Sequence, residues 1–382
     1  MPFRKRMVYM DYASTTPVDP RVIKAMLPYF DKKFGNTMSP HEWGMEARET
    51  LETAREEIAS LLGAAPNEII FTSSATESNN LAIKGVAFAN KERGKHIITS
   101  KIEHLSVLEP CRWLEKNGFE VTYLDVDSYG LIDPKRVEEE IRDDTILVSI
   151  MHANNEIGTI EPIEEIGKIC EEKGVYFHVD AAQTFGKIPF KIRDIHVDLL
   201  TISSHKIYGP KGVGALYVSE DVRIEPLLHG GGHEFGLRSS TVNIPGVVGF
   251  AEACKIAERE MDSEITRLTE LRDKLIQNIL ETGRAHLTGH PKKRLPNLAS
   301  FWIESVEGER LIIELNERGI AASTGSACAS GKLEPSHVLL AIGLSRREAK
   351  NSLRLSLGRW TTAKDVEYVV DALWEIIEGK SR

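Results

Sequence analysis

The sequence predicts an α/β protein: a domain built on a mainly parallel seven-stranded sheet, followed by a smaller α/β domain. Two observations carry this. Short apolar runs alternate with stretches of helical periodicity from Ile69 to Val218, and such alternation implies crossover connections between parallel strands covered by helices on both faces. Polar clusters follow directly on those runs, at the strand ends where open parallel sheets gather their ligands.

Taken in order, Val8 to Pro17 reads as a short extended segment closed by proline, and Pro20 to Phe30 as a helix. Glu46 to Leu62 is a second helix, with Leu51, Ala54, Ile58, Leu61 and Leu62 at helical spacing and Gly63 as its stop. Strands are expected at Ile69–Thr72, Ile97–Thr99, Val121–Val126, Ile146–Met151, Val175–Val179, Leu199–Ile202 and Ala215–Val218. From Ala251 to Leu280 a long charged helix connects to the second domain. There Pro296–Ile303 and Leu353–Leu357 read as strands, and Glu307–Arg318 and Thr362–Glu378 as helices. The expected large domain is 1–255, with residues 1–18 packing on the small domain; 256–382 form the connector and the small domain.

Composition narrows the function classes. The 382 residues are 41% hydrophobic and 27% charged, enough for a large core in an ordinary globular chain. With 48 basic against 57 acidic residues the formal charge is -9, which argues against general binding to nucleic acid or an anionic membrane. Cys111, Cys170, Cys254 and Cys328 lie far apart with no CxxC spacing, so neither a structural zinc site nor a disulfide framework is expected. The apolar run behind Arg4, Lys5 and Arg6 is too short for a signal peptide, and no spanning stretch follows. The expected location is the cytoplasm.

The strand ends carry the chemistry. Leu199–Ile202 runs into Ser203, Ser204, His205 and Lys206 before a Gly-Pro turn. A lysine held at the rim of a sheet beside a histidine is partly desolvated and titrates low enough to attack a carbonyl as a free amine. Pyridoxal phosphate is the carbonyl cofactor that such a lysine serves. Ser73 and Ser74 open a helix whose free N–H groups suit a phosphate. His104 stands at the rim of the next strand, Asn154 and Asn155 at that of another. Asp180, three residues before Gln183, can keep a pyridinium nitrogen protonated and make the ring an electron sink. Each residue alone also fits a cap or a turn. Together they are the parts of one cofactor site.

This set resembles the cysteine desulfurases of the NifS/IscS type, within the class-V aminotransferases. The motifs are Asp11-Tyr-Ala-Ser-Thr-Thr-Pro17, Ser74-Ala-Thr-Glu-Ser-Asn-Asn80, Glu103-His104, Asn154 to Thr159, Val179 to Gln183, Ser204 to Gly212 and Gly230 to Glu234, covering almost the whole chain. The resemblance implies the fold-type-I architecture of pyridoxal phosphate enzymes and a homodimer with sites at the subunit interface. By position, Lys206 is the Schiff-base lysine, Asp180 the partner of the pyridine nitrogen, His104 the group stacked on the ring and aiding proton transfer, and Gln183 a donor to the ring oxygen. Ala75, Thr76, Ser203 and His205 hold the phosphate, with Thr241 reaching it from the other subunit. Asn155 and Arg354 bind the carboxylate of L-cysteine, for which the planar guanidinium fork is suited.

The stretch Ala321 to Ser336 is mostly small residues around Cys328. Such a segment buries little and holds no conformation by its own packing. It resembles the long active-site loop of the IscS-like branch, so Cys328 is expected to take the substrate sulfur as a persulfide, leaving L-alanine, and to carry it to an IscU-like iron–sulfur scaffold. There it would also serve as a transient ligand of a nascent cluster. Cys111, Cys170 and Cys254 fall within helical patterns and read as structural. Two alternatives stay open: a selenocysteine lyase or related pyridoxal phosphate lyase, and a catalytically weak docking subunit of a sulfur-transfer complex.

Overall fold

The structure is a computed structural model that describes residues 6–304, 306–324 and 335–379. Twelve strands are present among these: β1 (Val8–Tyr9), β2 (Ile69–Thr72), β3 (His96–Ser100), β4 (Glu120–Leu124), β5 (Thr145–Met151), β6 (Tyr176–Asp180), β7 (Leu199–Ser203), β8 (Gly214–Val218), β9 (Ala285–Leu287), β10 (Leu298–Ile303), β11 (Ile320–Ala321) and β12 (Ser352–Ser356). The seven expected strands of the large sheet form in the order β2-β8-β7-β6-β5-β3-β4. All neighbouring pairs are parallel except those made by β8, which is antiparallel to both β7 and β2. The reason lies in the connection: the short Gly-Pro turn after β7 returns the chain directly, whereas each parallel pair needs a crossover. The six parallel strands therefore end on one edge. β5, β7 and β8 are buried along their whole length, as a sheet covered on both faces requires.

Helix boundaries differ from the expected ones for local reasons. The first helix breaks at Leu27 into Pro20–Met26 and Pro28–Asp31, because Pro28 has no N–H to continue the ladder. The next runs Glu42–Leu62, starting earlier than expected; the His41 ring accepts from the Gly44 N–H (3.3 Å), a cap less familiar than Ser or Asp. Gly63, with φ 74°, closes it in the left-handed conformation. The long helix spans Ile244–Leu280, begun by Asn243, whose side chain accepts from Gly246 N–H.

That helix links two cores. Its first part, Ile244 to Ile256, packs with the helix Glu42–Leu62 and the large sheet. Its last part, Leu268, Leu275 and Ile279, packs with the antiparallel sheet β12-β10-β9 and the closing helix Ala363–Ile377. The chain's start joins this second core: β1 pairs in parallel with β11, Val8 opposite Ile320, and Val8 and Met10 are buried there. The edge bearing the parallel strands' ends faces the two-core junction, and Asp11 bridges to Ser356 across it.

Candidate active site

A pocket of about 340 Å³ opens at that edge. Lys206 lies in the short turn Ser204–Lys206 after β7 and borders the pocket, whereas Lys211, beyond the Gly-Pro turn, is exposed and does not. Its Nζ donates to the carbonyl oxygens of Ala13 (2.6 Å) and Ser14 (2.7 Å). Burial, with Arg354 adding to it and Asp11 and Asp180 opposing, pushes its pKa down to about 8. The amine is thus available as a free base not far above neutrality. His205 also borders the pocket, its Nδ1 3.0 Å from Thr15 Oγ1, and burial together with the neighbouring lysines holds its pKa down to about 4. Ser203 ends β7 behind the pocket wall; its buried hydroxyl has no hydrogen-bond partner among the described residues.

Asp180, at the end of β6, is held from two sides. Its Oδ1 accepts from Ala182 N–H (3.0 Å) and its Oδ2 from Asn79 Nδ2 (2.7 Å). Gln183 donates from Nε2 to Ala13 O (2.9 Å), while its Oε1 accepts from Lys187 Nζ (3.2 Å). The amide is thereby oriented with its nitrogen toward the N-terminal segment. His104 is the cap of the helix Leu105–Glu115, its Nδ1 accepting from Ser106 N–H (3.1 Å), and the ring is open to the pocket. Desolvation lowers its pKa, with Asp180 opposing and Lys206 adding to the effect, which favours the neutral ring.

Ser74, Ala75 and Thr76 line another wall, at the start of the helix Ala75–Asn80 that follows β2. Ser74 Oγ accepts from Glu77 N–H (3.2 Å). A Cβ on Gly214 would sit 2.9 Å from the Ile202 carbonyl oxygen and 3.0 Å from the Ser74 carbonyl carbon, so a side chain there would force this wall of the pocket to shift. The two asparagines after β5 divide their tasks. Asn154 is buried and closes its own turn, accepting from Glu156 and Ile157 N–H groups, while Asn155 borders the pocket.

Arg354 enters from β12, in the other core. Its Nη1 donates to Asn155 O (2.9 Å), and its Nη2 to Asp11 Oδ1 (2.8 Å) and Ser14 Oγ (2.7 Å). Its Nε is buried without a partner among the described residues. Ser323, bridged to Arg354 through the backbone, completes that wall.

The structure therefore brings Lys206, Asp180, Gln183, His104, Asn155, Ala75, Thr76, His205 and Arg354 to one pocket. Thr241 is exposed and outside it, in a loop tied to the outer side of the site by Arg238 Nε donating to Glu77 Oε1 (2.7 Å). Cys328 lies outside the described residues. Cys111, Cys170 and Cys254 are buried, and burial raises their thiol pKa values, which leaves them inert.

Several contributors carry no individual role in the sequence reading. Asp11, Ala13 and Ser14 hold Lys206 and Arg354; their signal is the polar Asp-Tyr-Ala-Ser-Thr-Thr run, but nothing local says what it faces. Glu103, fully buried and pushed up to about 8 by desolvation, ties β3 to β5 by accepting from Ser100 Oγ (2.7 Å) and Met151 N–H (3.0 Å). Asn79, Ser106 and Lys187 are the remaining ones.

The chain matches the aminotransferase class-V family model over residues 8–369. It is 54% identical over 375 residues to cysteine desulfurase IscS of Dictyoglomus turgidum, covering 98% of this chain and 95% of that one. It is 52% identical over 373 residues to cysteine desulfurase IscS of Methanosarcina thermophila, covering 98% and 92%. Among solved structures, a NifS-like protein superposes with a TM-score of 0.93 at 42% identity over 98% of this chain and all of that one (100%). SspA in complex with cysteine gives 0.83 at 40% identity over 93% and 100%. With these likenesses spanning both cores and the pocket between them, the chain belongs to the class-V aminotransferase family, among the cysteine desulfurases of the IscS type.

Proposed function

We propose that this protein is a pyridoxal 5′-phosphate-dependent cysteine desulfurase that takes sulfur from L-cysteine, releases L-alanine and carries the sulfur as a persulfide on Cys328. The observation that carries the reading is the meeting, in one pocket, of a low-titrating lysine amine, a fixed carboxylate and an arginine with an unpartnered buried Nε. The residues present fit the cofactor. Lys206 would hold it, Asp180 would face its ring nitrogen, and Gln183 its ring oxygen. The N–H groups at Ala75 and Thr76, the unpartnered hydroxyl of Ser203 and His205 supply donors for its phosphate. Bound there, the cofactor supplies an aldehyde and an electron-accepting ring for chemistry at the substrate's α carbon.

The chain's own residues do the rest. Arg354, with Asn155, pairs with the substrate carboxylate and sets the α carbon toward Lys206. Lys206, as the free amine, takes the α proton and returns one as the carbon–sulfur bond opens. The Asp180 carboxyl group would face the ring nitrogen and hold a proton there; His104 borders the same pocket and is placed to pass protons. The Cys328 thiolate bonds to the leaving sulfur, so one thiol and one cysteine become one persulfide and one alanine, with no external oxidant.

An IscU-like iron–sulfur scaffold is the acceptor this reading favours, and the cytoplasm the compartment; no helix among the described residues is long and apolar enough to cross a membrane. A homodimer is supported by the exposed apolar side chains of Leu27, Phe30, Phe34, Met38 and Trp43 on one stretch of chain. The two cores support a division into a large domain, 1–255, and a small one, 256–382, with the N-terminal segment on the latter. Alanine release and persulfide labelling, compared between parent and Cys328→Ser, test the reading. The variant should lose persulfide entirely and alanine formation by orders of magnitude, because a hydroxyl is a poor nucleophile toward sulfur. Unchanged alanine production would refute it.

A further inference from the structure

Behind the pocket wall, one buried amide joins two of the groups just assigned. Asn79 is fully buried on the helix Ala75–Asn80. Its Nδ2 donates to Asp180 Oδ2 (2.7 Å) and to Ser106 Oγ (2.8 Å), which uses both of its N–H bonds. The orientation of the amide is dictated by its surroundings, since turning it would set its oxygen against the Asp180 carboxylate, acceptor against acceptor. Ser106 Oγ, accepting from Asn79, has its own hydrogen left for the atom on its other side, His104 Nδ1 at 2.8 Å. The Ser106 backbone N–H points at the same nitrogen (3.1 Å). His104 Nδ1 is thus an acceptor twice over, and the proton of the neutral ring is on Nε2.

We propose that Asn79 is a positioning residue that sets Asp180 and His104 as one unit: one N–H anchors the carboxylate, and the other directs the Ser106 hydroxyl so that His104 keeps its proton on Nε2. It touches neither substrate nor cofactor. The proposal rests on the reaction assigned above only for its effect on turnover. The hydrogen-bonded run and the state of the ring are properties of the protein itself. In function, the arrangement means that a disturbance of Asp180 is felt at His104 through three hydrogen bonds in series.

The test is Asn79→Leu, which keeps the volume and removes both donors. In full-length protein labelled with ¹⁵N-histidine, with the His104 signals identified by their loss in His104→Gln, the parent should show bare Nδ1 and protonated Nε2. Asn79→Leu frees the Ser106 hydroxyl, so its bond to Nδ1 should weaken and the His104 ¹⁵N signals should shift from those of the parent, while the Ser106 backbone N–H still favours the Nε2 tautomer. With cysteine as substrate its kcat should fall about 10-fold to 100-fold, the scale on which outer partners of a functional histidine count, while KM stays within about twofold because Arg354 and Asn155 are untouched. Ser106→Ala cuts only the branch to His104; it should change the His104 signals with the Asp180 contact intact, and it keeps the test open if Asn79→Leu does not fold. His104 signals unchanged from the parent in these variants, with kcat unchanged, overturn the proposal. A parent protein that makes no alanine from cysteine would instead sink the reaction assignment and leave the tautomer result standing.

Discussion

Lys206 at the strand end was legible because a lysine that ends a buried run and precedes a Gly-Pro turn is placed by the chain itself. Its environment was not, since the carbonyls of Ala13 and Ser14 that receive its protons come from far away in sequence. The consequence can be measured as the rate at which the cofactor-free protein captures pyridoxal phosphate. Only the neutral amine reacts, so the rate should climb about tenfold per pH unit below about 8 and level off above it. A profile flat from pH 6 to 9, or one still rising toward the ordinary lysine value, would contradict the assignment. The sign for stability is the same. Because the folded pKa lies below the unfolded one, protonated Lys206 works against folding at pH values below about 8, and that penalty fades as pH rises toward 10.5.

Among elements, the apolar runs of the large sheet were readable to within a residue or two, because strands buried on both faces leave little room for ambiguity; the two-residue slip falls on β4, the partly exposed edge strand. Short elements that depend on partners were not. β9 and β11 carry too few residues for a pattern, and β11 exists because β1 pairs with it. Between Ala75–Asn80 and Val86–Asn90 the helix widens into a π turn, Leu81–Gly85, which apolar spacing cannot announce. The Gly230 to Thr241 stretch, glycine-rich in sequence, turns out to be pinned by a charge pair. Arg55, from the helix Glu42–Leu62, donates to Glu234 through Nη1 (2.8 Å) and Nη2 (3.0 Å), both side chains being buried, and Phe71 N–H donates to the same carboxylate (2.7 Å). Glu234 and Phe235 take left-handed φ values of 51° and 56°, uncommon without glycine. Glu234→Ala should leave the Arg55 charge buried and unpaired and lower stability by about 3–5 kcal/mol in urea unfolding. A loss under about 1 kcal/mol would show that the pair does not pin the loop.

For the whole molecule, the sequence motifs placed most of the site on the large sheet, but the site is a joint product of two cores. Arg354 comes from β12, Lys206 from β7, and residues 11–14 run between them. The motif of that third party is plain in the sequence but its task is not, because pairing over such separations leaves no local trace. Thr241 poses the complementary question, being exposed on its own chain. If it serves the pocket of a second copy, co-expressed Lys206→Ala and Thr241→Asp chains, each inactive or weakened alone, should form mixed dimers with one intact site. In an equal random mixture about a quarter of all sites would then be restored, as two-fold pairing dictates. Activity no higher than the sum of the separate variants would remove Thr241 from the partner's site.

The pairing of β1 with β11 also sets a timetable for biosynthesis. Val8 and Met10 leave the ribosome about 310 residues ahead of Ile320, yet their place in the second core does not exist until Ile320 has emerged. At about 5–20 residues per second, the segment around Val8 and Tyr9 waits roughly 15–60 s as an unpaired strand. Only then can Ala13 and Ser14 settle against Lys206, so a ribosome-bound chain carrying the finished large sheet would still lack the carbonyls that hold its lysine. Chains that terminate early are left with that strand uncovered, a ready substrate for chaperones and for aggregation.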